Sequence, residues 1–467
     1  MVMAAGSIGE AASRKASVSV AECALEIAGR SALAEYDRGL KERYALFGYE
    51  ADEQEICRMI RSLSEESLSS FSLTECRIIS LSAEKAGYCL ADTEVFQGQI
   101  DEIMKYKVFT DKISEFTGFL SSASDAVLLL SDQERKKASL EEAKEAMREA
   151  QEGADSSGGQ EGDSDGTDFT AADSVHDMLK KLKEDAEEEN GQDENTEDTV
   201  LRNGRIKEVL PSVQAGCSGN SVFSGILSSL TKFTEFTDLG NLKSEIYTDE
   251  YILAFFNEHT DEPRADSFFR NETEYILYGS DSDQENYKKA KRAIRTVRTA
   301  LNMSYIYSNP EMVRETLALA ESLTPGPFVP LTQLLIIAAW SSLESYNDMK
   351  NLEVGNRIPL IKSESSWKMT LSSVASGSFS EGMIENDSET GLKYESYLKL
   401  LLLTEDSETK LLRMMDLIQI NLKGSDRKDF VLSNLFCGFI LKAQLEKRSI
   451  CAGIRSGTVS VRMVHTY

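Results

Sequence analysis

The residues able to carry out chemistry are few in this 467-residue chain, and they are poorly grouped. It has three histidines: His176 lies in an acidic stretch, His465 stands beside the C-terminus, and His259 follows a predicted helix between Glu258 and Asp261. Only His259 is placed to act as a general base. A base must also meet a nucleophile and an orienting group, and a lone histidine beside Glu258 and Asp261 is more simply read as a helix-end residue. Asp163, Asp165 and Asp168 resemble the opening of a calcium loop. The glycine falls at the wrong offset, however, and the closing glutamate is missing. Gly377-Ser378-Phe379-Ser380-Glu381-Gly382 lacks the spacing of a nucleophile elbow, and neither phosphate-binding glycine motif is present. Seven scattered cysteines without a CxxC pair read as reduced thiols rather than a disulfide framework or zinc site. The sequence assigns no catalytic residue, cofactor or metal.

Charge is the stronger signal. The formal net charge is −27 with 41% hydrophobic residues, a soluble composition whose surface repels nucleic-acid phosphates and anionic lipid. Residues 151–200 hold 17 acidic side chains against three lysines and almost no large apolar ones, which predicts an unfolded insert. Its one island, Val175–Leu182, has the pattern of a helix formed on contact with a partner. Lys288, Lys289, Lys291, Arg292, Arg295 and Arg298 fall opposite an apolar stripe of Tyr287, Ala290, Ile294, Val297, Leu301 and Tyr305. The ordinary fate of such a basic face is solvation. A sharper hypothesis is that it attracts the acidic insert.

The elements that position these groups are mostly helical. Ala16–Phe47 reads as one helix with Leu25, Leu33, Tyr36 and Leu40 as its helix-packing residues. Ala21, Ala24, Ala28, Gly29 and Ala32 allow close approach of a neighbour. A helix over Asp52–Ser62 follows, then one or two strands within Leu68–Leu90, then a helix from Asp92 to Gln151. In the second half, helices are expected over Asp249–Glu258, from a capping box at Ser282 and Glu285, and over Leu331–Tyr346. Gly391–Lys423 reads as two short apolar helices around the acidic turn Thr404–Ser407, a pattern suited to packing rather than chemistry. Two-residue alternation over Phe430–Glu446 and at Val459, Val461 and Met463 predicts a terminal β-hairpin. The expected fold class is α+β: predominantly helical, with a small N-terminal sheet, a disordered acidic insert and a C-terminal hairpin. The expected domains are 1–150, a linker at 151–200, and 201–467. The apolar run Leu334–Trp340 is far short of the ~20 residues a membrane-spanning helix needs, and the start has no signal-peptide core.

Five collinear segments carry a resemblance: ALEIAGRSALAEYDRGLKERYALFGYE (24–50), EYILAFFNEHT (250–260), ETEYILYGSDSDQENYKKAKRAIRTVRTALN (272–302), RIPLIKSESSWKMTLS (357–372) and YESYLKLLLLTEDSETKLLRMMDLIQIN (394–421). Together they are similar to a Gram-positive bacterial family, a domain of unknown function associated with TadE/TadG-like components of tight-adherence pilus assembly. The resemblance implies a non-enzymatic cell-envelope protein that meets pilin-like or envelope proteins. Proteins similar to this one begin with a hydrophobic membrane helix running into the helix at 16–47. Its absence here implies either a start site placed too late or a copy that has lost its anchor. The uncapped, small-residue-rich start favours the first, which would put the bulk of the protein outside the cytoplasmic membrane. Taken as it stands, the chain would be cytoplasmic, with membrane contact only through that missing anchor. Two alternatives remain open: a soluble cytoplasmic adaptor whose acidic tract binds a basic partner, and a hydrolase with a site built from scattered carboxylates.

Overall fold

The computed structural model describes residues 2–69, 76–85, 87–107, 239–324, 326, 329–375, 384–385, 391–424, 427–447 and 457–467. The acidic insert expected at 151–200, and the helix expected beyond residue 107, lie outside them. The chain is mostly helical with one small antiparallel sheet, and it divides into two compact units. Unit 1 comprises Met1–Lys107, Asp266–Phe268 and Leu411–Tyr467; unit 2 comprises Val108–Ala265 and Phe269–Lys410.

Unit 1 opens with α1 (Val2–Leu33) and α2 (Arg38–Tyr44). The single helix expected over Ala16–Phe47 is therefore two. Asp37 breaks it: its side chain accepts the Leu40 amide at 2.8 Å and caps α2, while both Arg427 guanidinium nitrogens bond its carboxylate. The chain then passes through α3 (Glu53–Ser69), β1 (Cys76–Glu84) and α4 (Thr93–Lys107). Much later come β2 (Gly438–Lys447) and β3 (Gly457–Thr466). The N-terminal strand and the terminal hairpin are one sheet in the order β1-β2-β3, with Ile78 opposite Leu445 and Leu441 opposite Met463. A bulge between Ile78 and Ser80 resets the alternation of β1. It leaves Ile79 52% exposed and turns Ala83 inward beside the buried Ile78. Without that extra residue the serines at 80 and 82 would face the core. The inner face (Ile78, Ala83, Phe439, Leu441, Ala443, Leu445, Val459, Val461) packs with α3 and with Ala21, Ala24, Leu25, Ala28, Ala32 and Leu33 of α1.

Unit 2 contains α5 (Leu239–Phe255), α6 (Glu272–Tyr278), α7 (Asp283–Ser308), α8 (Pro310–Leu323), α9 (Val329–Glu353), α10 (Leu371–Ala375) and α11 (Tyr394–Leu402). Helix α12 (Ser407–Gly424) begins in it. Ser282 accepts the Glu285 amide and caps α7, but the reciprocal half of the expected capping box differs: the Glu285 carboxylate takes the Ser280 hydroxyl and Lys289 instead. Asn309 caps α8, with Pro310 in the first turn, where its missing N–H has no partner to lose. Asp406 accepts the Thr409 amide at 3.1 Å, which explains the acidic turn before α12. The long antiparallel pair α7 and α9 forms the spine, and Met303, Ile306, Trp340 and Leu343 build one apolar cluster with Met369 and Val374. The Trp340 and Trp367 ring N–H groups both donate to the Met369 carbonyl, at 2.9 and 2.7 Å.

Gly29 faces the buried His465 ring so closely that a Cβ would stand 2.5 Å from its Cε1 and Nε2. Alanine normally stabilises a helix interior over glycine by ~1 kcal/mol, but here overpacking wins. Gly29→Ala is expected to lower stability by about 1–3 kcal/mol in urea denaturation. Combining it with His465→Ser should recover the loss caused by the clash.

Candidate functional site

The richest cluster of titratable groups in unit 2 forms where α5 ends and the chain loops back into α6. Phe255 closes α5, and the backbone of Asn257 is then fixed by two bonds: its amide to Glu272 Oε2 and its carbonyl to the Thr273 amide, both at 2.9 Å. This places Glu258 and His259 over Glu274. Glu274 Oε1 accepts the Tyr394 hydroxyl at 2.8 Å and the His259 amide at 3.1 Å, while Oε2 is buried without a hydrogen-bond partner. The His259 ring stacks on Tyr287 with centroids 3.7 Å apart, and its Nδ1 lies 2.9 Å from Asn271 Oδ1. Asn271 donates through Nδ2 to Asp283 Oδ2, so its oxygen faces the histidine and Nδ1 carries the proton. His259 is thus a helix-end residue, as its sequence context suggested, with one nitrogen committed to structure.

Burial governs the protonation of this cluster. It pushes Glu274 up to about 8 and Glu258 up to about 7, with a smaller repulsion from Glu258 on Glu274 and from Asp261 and Glu395 on Glu258. Burial also lowers His259 and raises the Tyr394 hydroxyl well above its ordinary value. Two carboxyl groups therefore exchange protons near neutrality beside a neutral imidazole. The arrangement can hold and release protons. Within it the Thr260 hydroxyl donates to Glu258, and the Glu258 carboxylate also accepts the Thr260 amide.

A second cluster lies deeper between α7 and α9. Arg298, expected on the basic outer face of its helix, is completely buried. Its Nε and Nη2 donate to Asp348 Oδ2 at 3.0 and 2.8 Å, and its Nη1 donates to the carbonyls of Pro359 and Leu360 and meets the Tyr397 hydroxyl. Lys362 bridges Asp348 at 2.6 Å and Glu344 at 2.5 Å, and Glu344 also accepts the Lys368 and Met369 amides. Burial would raise Asp348, but Arg298 and Lys362 outweigh it and hold the carboxyl below its ordinary range. For Glu344 burial wins and the value rises. The sequence signal was available: Trp340, Glu344 and Asp348 recur every fourth residue on an apolar helix, so both carboxylates share the tryptophan's buried face. Likewise Glu272 and Glu274 sit inside the apolar ETEYILY.

The other basic positions of α7 stay nearer the surface. Lys289 pairs with Glu285 and Lys291 with Glu353, each at 2.8 Å, Lys288 is half-buried, Arg292 is exposed, and Arg295 stands 5.3 Å over the Tyr346 ring. Of the helix-packing residues, Leu25, Leu33 and Leu40 are buried in unit 1, and Tyr36 is half-buried edge-on to Phe47. Unit 1 also holds an open cleft of about 420 Å³, lined by Glu50, Asp52, Glu55, Lys85, Cys89 and Phe436 among others. Lys85 donates to the Ala51 carbonyl at 2.6 Å and covers the Phe436 ring, so the cation forms part of the wall. Among the described residues no group of histidine, cysteine and carboxylate side chains is arranged to hold a metal ion.

The profile of a family of unknown function, DUF5702, matches residues 183–447, more than half of the chain. The match takes in every described element from α5 to β2, and four of the five segments that carried the resemblance fall inside it. It brings no activity, substrate or link to tight-adherence proteins. No curated protein and no solved structure matches the chain.

Two measurements follow from the buried charges. Glu274 has an ordinary value of 4.5 and a folded value of about 8, so the folded state retains a proton that the unfolded state has lost between those limits. The contribution of Glu274 to stability must then fall as pH rises from about 4.5 to about 8. Glu274→Gln is expected to flatten that decline by about one proton in urea titrations across the window. Separately, Arg298→Met leaves Lys362 as the one cation bonded to Asp348 and is expected to cost about 3–5 kcal/mol. A cost below about 1 kcal/mol, typical of a solvated ion pair, would contradict the buried role.

Proposed function

The chain belongs to the family DUF5702, and we propose that it is a non-enzymatic cell-envelope protein. In this reading it is a component or accessory of a tight-adherence pilus-type assembly, in the manner of TadE/TadG-like proteins, and is attached through α1. The observation that carries the reading is the division of α1 along its length. Between Ser17 and Leu33 one face of small and apolar residues is built into unit 1, with Cys23 and Ile27 left exposed. From Gly9 to Ala16 no side chain is buried, and polar contacts link this part to the sheet (Glu10 to Lys447, Arg14 to the Thr458 carbonyl), yet the helix continues for more than two further turns. Gly9, Ala11, Ala12, Ser13 and Ala16 there are small enough to let another helix approach its backbone. No helix among the described residues is long and apolar enough to cross a membrane; the attachment proposed is to a neighbouring protein helix.

The two charge clusters support a non-catalytic role, since their hydrogen bonds are directed at their own loops and helices. The hydrolase alternative has one feature in its favour, the near-neutral carboxyls of Glu258 and Glu274. It requires substrate to reach two side chains that are both buried.

Fractionation of the native protein from its own cells, with a photoreactive residue at Ala12 or Ala16, tests the proposal. It should sediment with the envelope and form a covalent product with another envelope protein. A freely dissolved protein that yields no such product would remove the reading.

A further inference from the structure

Two cations converge on one ring at the surface of unit 2. Arg295 Cζ lies 5.3 Å from the centroid of Tyr346, and Lys350 Nζ lies 4.4 Å from the same centroid. The tyrosine and Lys350 are half-buried, Arg292 is exposed on the next turn of α7, and the half-buried Lys288 and Lys291 continue the row toward its N-terminus. Glu353, which pairs with Lys291, and Glu285, which pairs with Lys289, offset part of this charge. We propose that this ridge, formed by Lys288, Lys291, Arg292, Arg295 and Lys350, is the docking surface for the acidic stretch 151–200 of the same chain.

The occupant follows from charge and connectivity. The molecule's net charge is −27, so its overall field repels polyanions arriving from solution. A tethered anionic segment avoids that penalty, because covalent linkage holds it at high effective concentration. Residues 151–200 carry 17 acidic side chains against three lysines. The stretch ends 38 residues before Leu239, a tether that reaches at most about 130 Å. The tyrosine between the cations gives the ridge an apolar platform as well as charge. The ridge differs from the basic face read in the sequence: Arg298 leaves it for the core, and Lys350 joins it from α9, 52 positions further along the chain. This inference is independent of the envelope reading.

Zero-length carbodiimide coupling of the full-length protein tests it, because the reagent joins a carboxylate to a lysine only where the two are in contact. Mixed isotope-labelled and unlabelled chains separate links within one chain from links between copies. Peptide mapping should find intrachain links from 151–200 to Lys288, Lys291 or Lys350. Their yield should fall about fivefold between about 20 mM and about 500 mM salt, as the screening length shrinks from about 20 Å to about 4 Å. Arg292→Glu/Arg295→Glu/Lys350→Glu should abolish the remaining links to Lys288 and Lys291 while leaving the helical circular dichroism unchanged. Should that variant unfold, the salt series on the unaltered protein decides alone. Links spread evenly over other lysines, links found only between copies, or yields indifferent to salt would each overturn the proposal.

Discussion

The charge on Asp348 is the constraint around which unit 2 is arranged. A carboxylate at the centre of a helical core is tolerable only if positive groups and hydrogen-bond donors surround it. Arg298 and Lys362 supply the positive groups, from α7 and from the extended segment after α9, and Asn302 donates a further bond at 3.1 Å. Each donor drags its own element into place. Arg298 pins the Pro359–Leu360 backbone through two carbonyls, and Lys362 bonds the Ser366 carbonyl. Glu344, on the same helix face as Asp348, receives the amides of Lys368 and Met369. The irregular chain from 357 to 370 has few ladder bonds of its own, and buried charge gives it a unique path. A hydrophobic replacement of similar volume could pack as densely, but it would not specify which carbonyl meets which helix.

The same logic explains what the sequence made legible. Helix and strand periodicity reports which residues face inward, and it gave α7, α11 and α12 close to their observed limits, whereas α9 runs on to Glu353 beyond the expected Tyr346 and β2 starts at Gly438 rather than Phe430. Periodicity treats a charged residue as outward-facing by default, which is why Arg298 falls in with the lysines and arginines three to ten positions before it. The correcting information lay on a different helix, in the i, i+4 series Trp340, Glu344, Asp348. Only a pairing of α7 with α9 reveals that one residue's misfit answers the other's. The break at Asp37 was missed for a related reason. Tyr36 and Leu40 continue the apolar spacing of α1 across the gap, and the capping bond to Leu40 together with Arg427, 390 positions away, ends the helix regardless. A bulge like that in β1 is also invisible to a strict two-residue rule, although the doubled isoleucine at 78 and 79 was its trace.

The Glu258–Glu274 cluster poses the opposite problem to the Asp348 network. No lysine or arginine bonds Glu274; its partners are a phenol and a backbone amide. These are too weak to offset full burial, so the group stays protonated up to about 8. Two buried acids in one unit thus reach opposite charge states, and the difference lies in their neighbours rather than in depth. Asp348 is a fixed charge that organises backbone. Glu274 behaves near neutrality as a polar but uncharged side chain, and in that form it can lie close to Glu258 without a counter-ion.

That contrast bears on how an unfamiliar site should be read. A carboxyl shifted toward neutrality, a histidine and a tyrosine within a few ångströms are the ingredients of acid–base catalysis, and shifted groups do gather at active sites. Here each one also has a sufficient structural explanation. Glu272 and Glu274 receive the amides that end α5, Asn271 and Asp283 join the loop to α7, and the Tyr287 ring fills the space beneath His259. A catalytic group must leave at least one reactive atom facing a substrate, and Glu274 Oε2, the unpartnered oxygen, is buried. The cluster is therefore better understood as the joint that turns the chain from α5 into α7, with its near-neutral acids a consequence of closing that joint without cations.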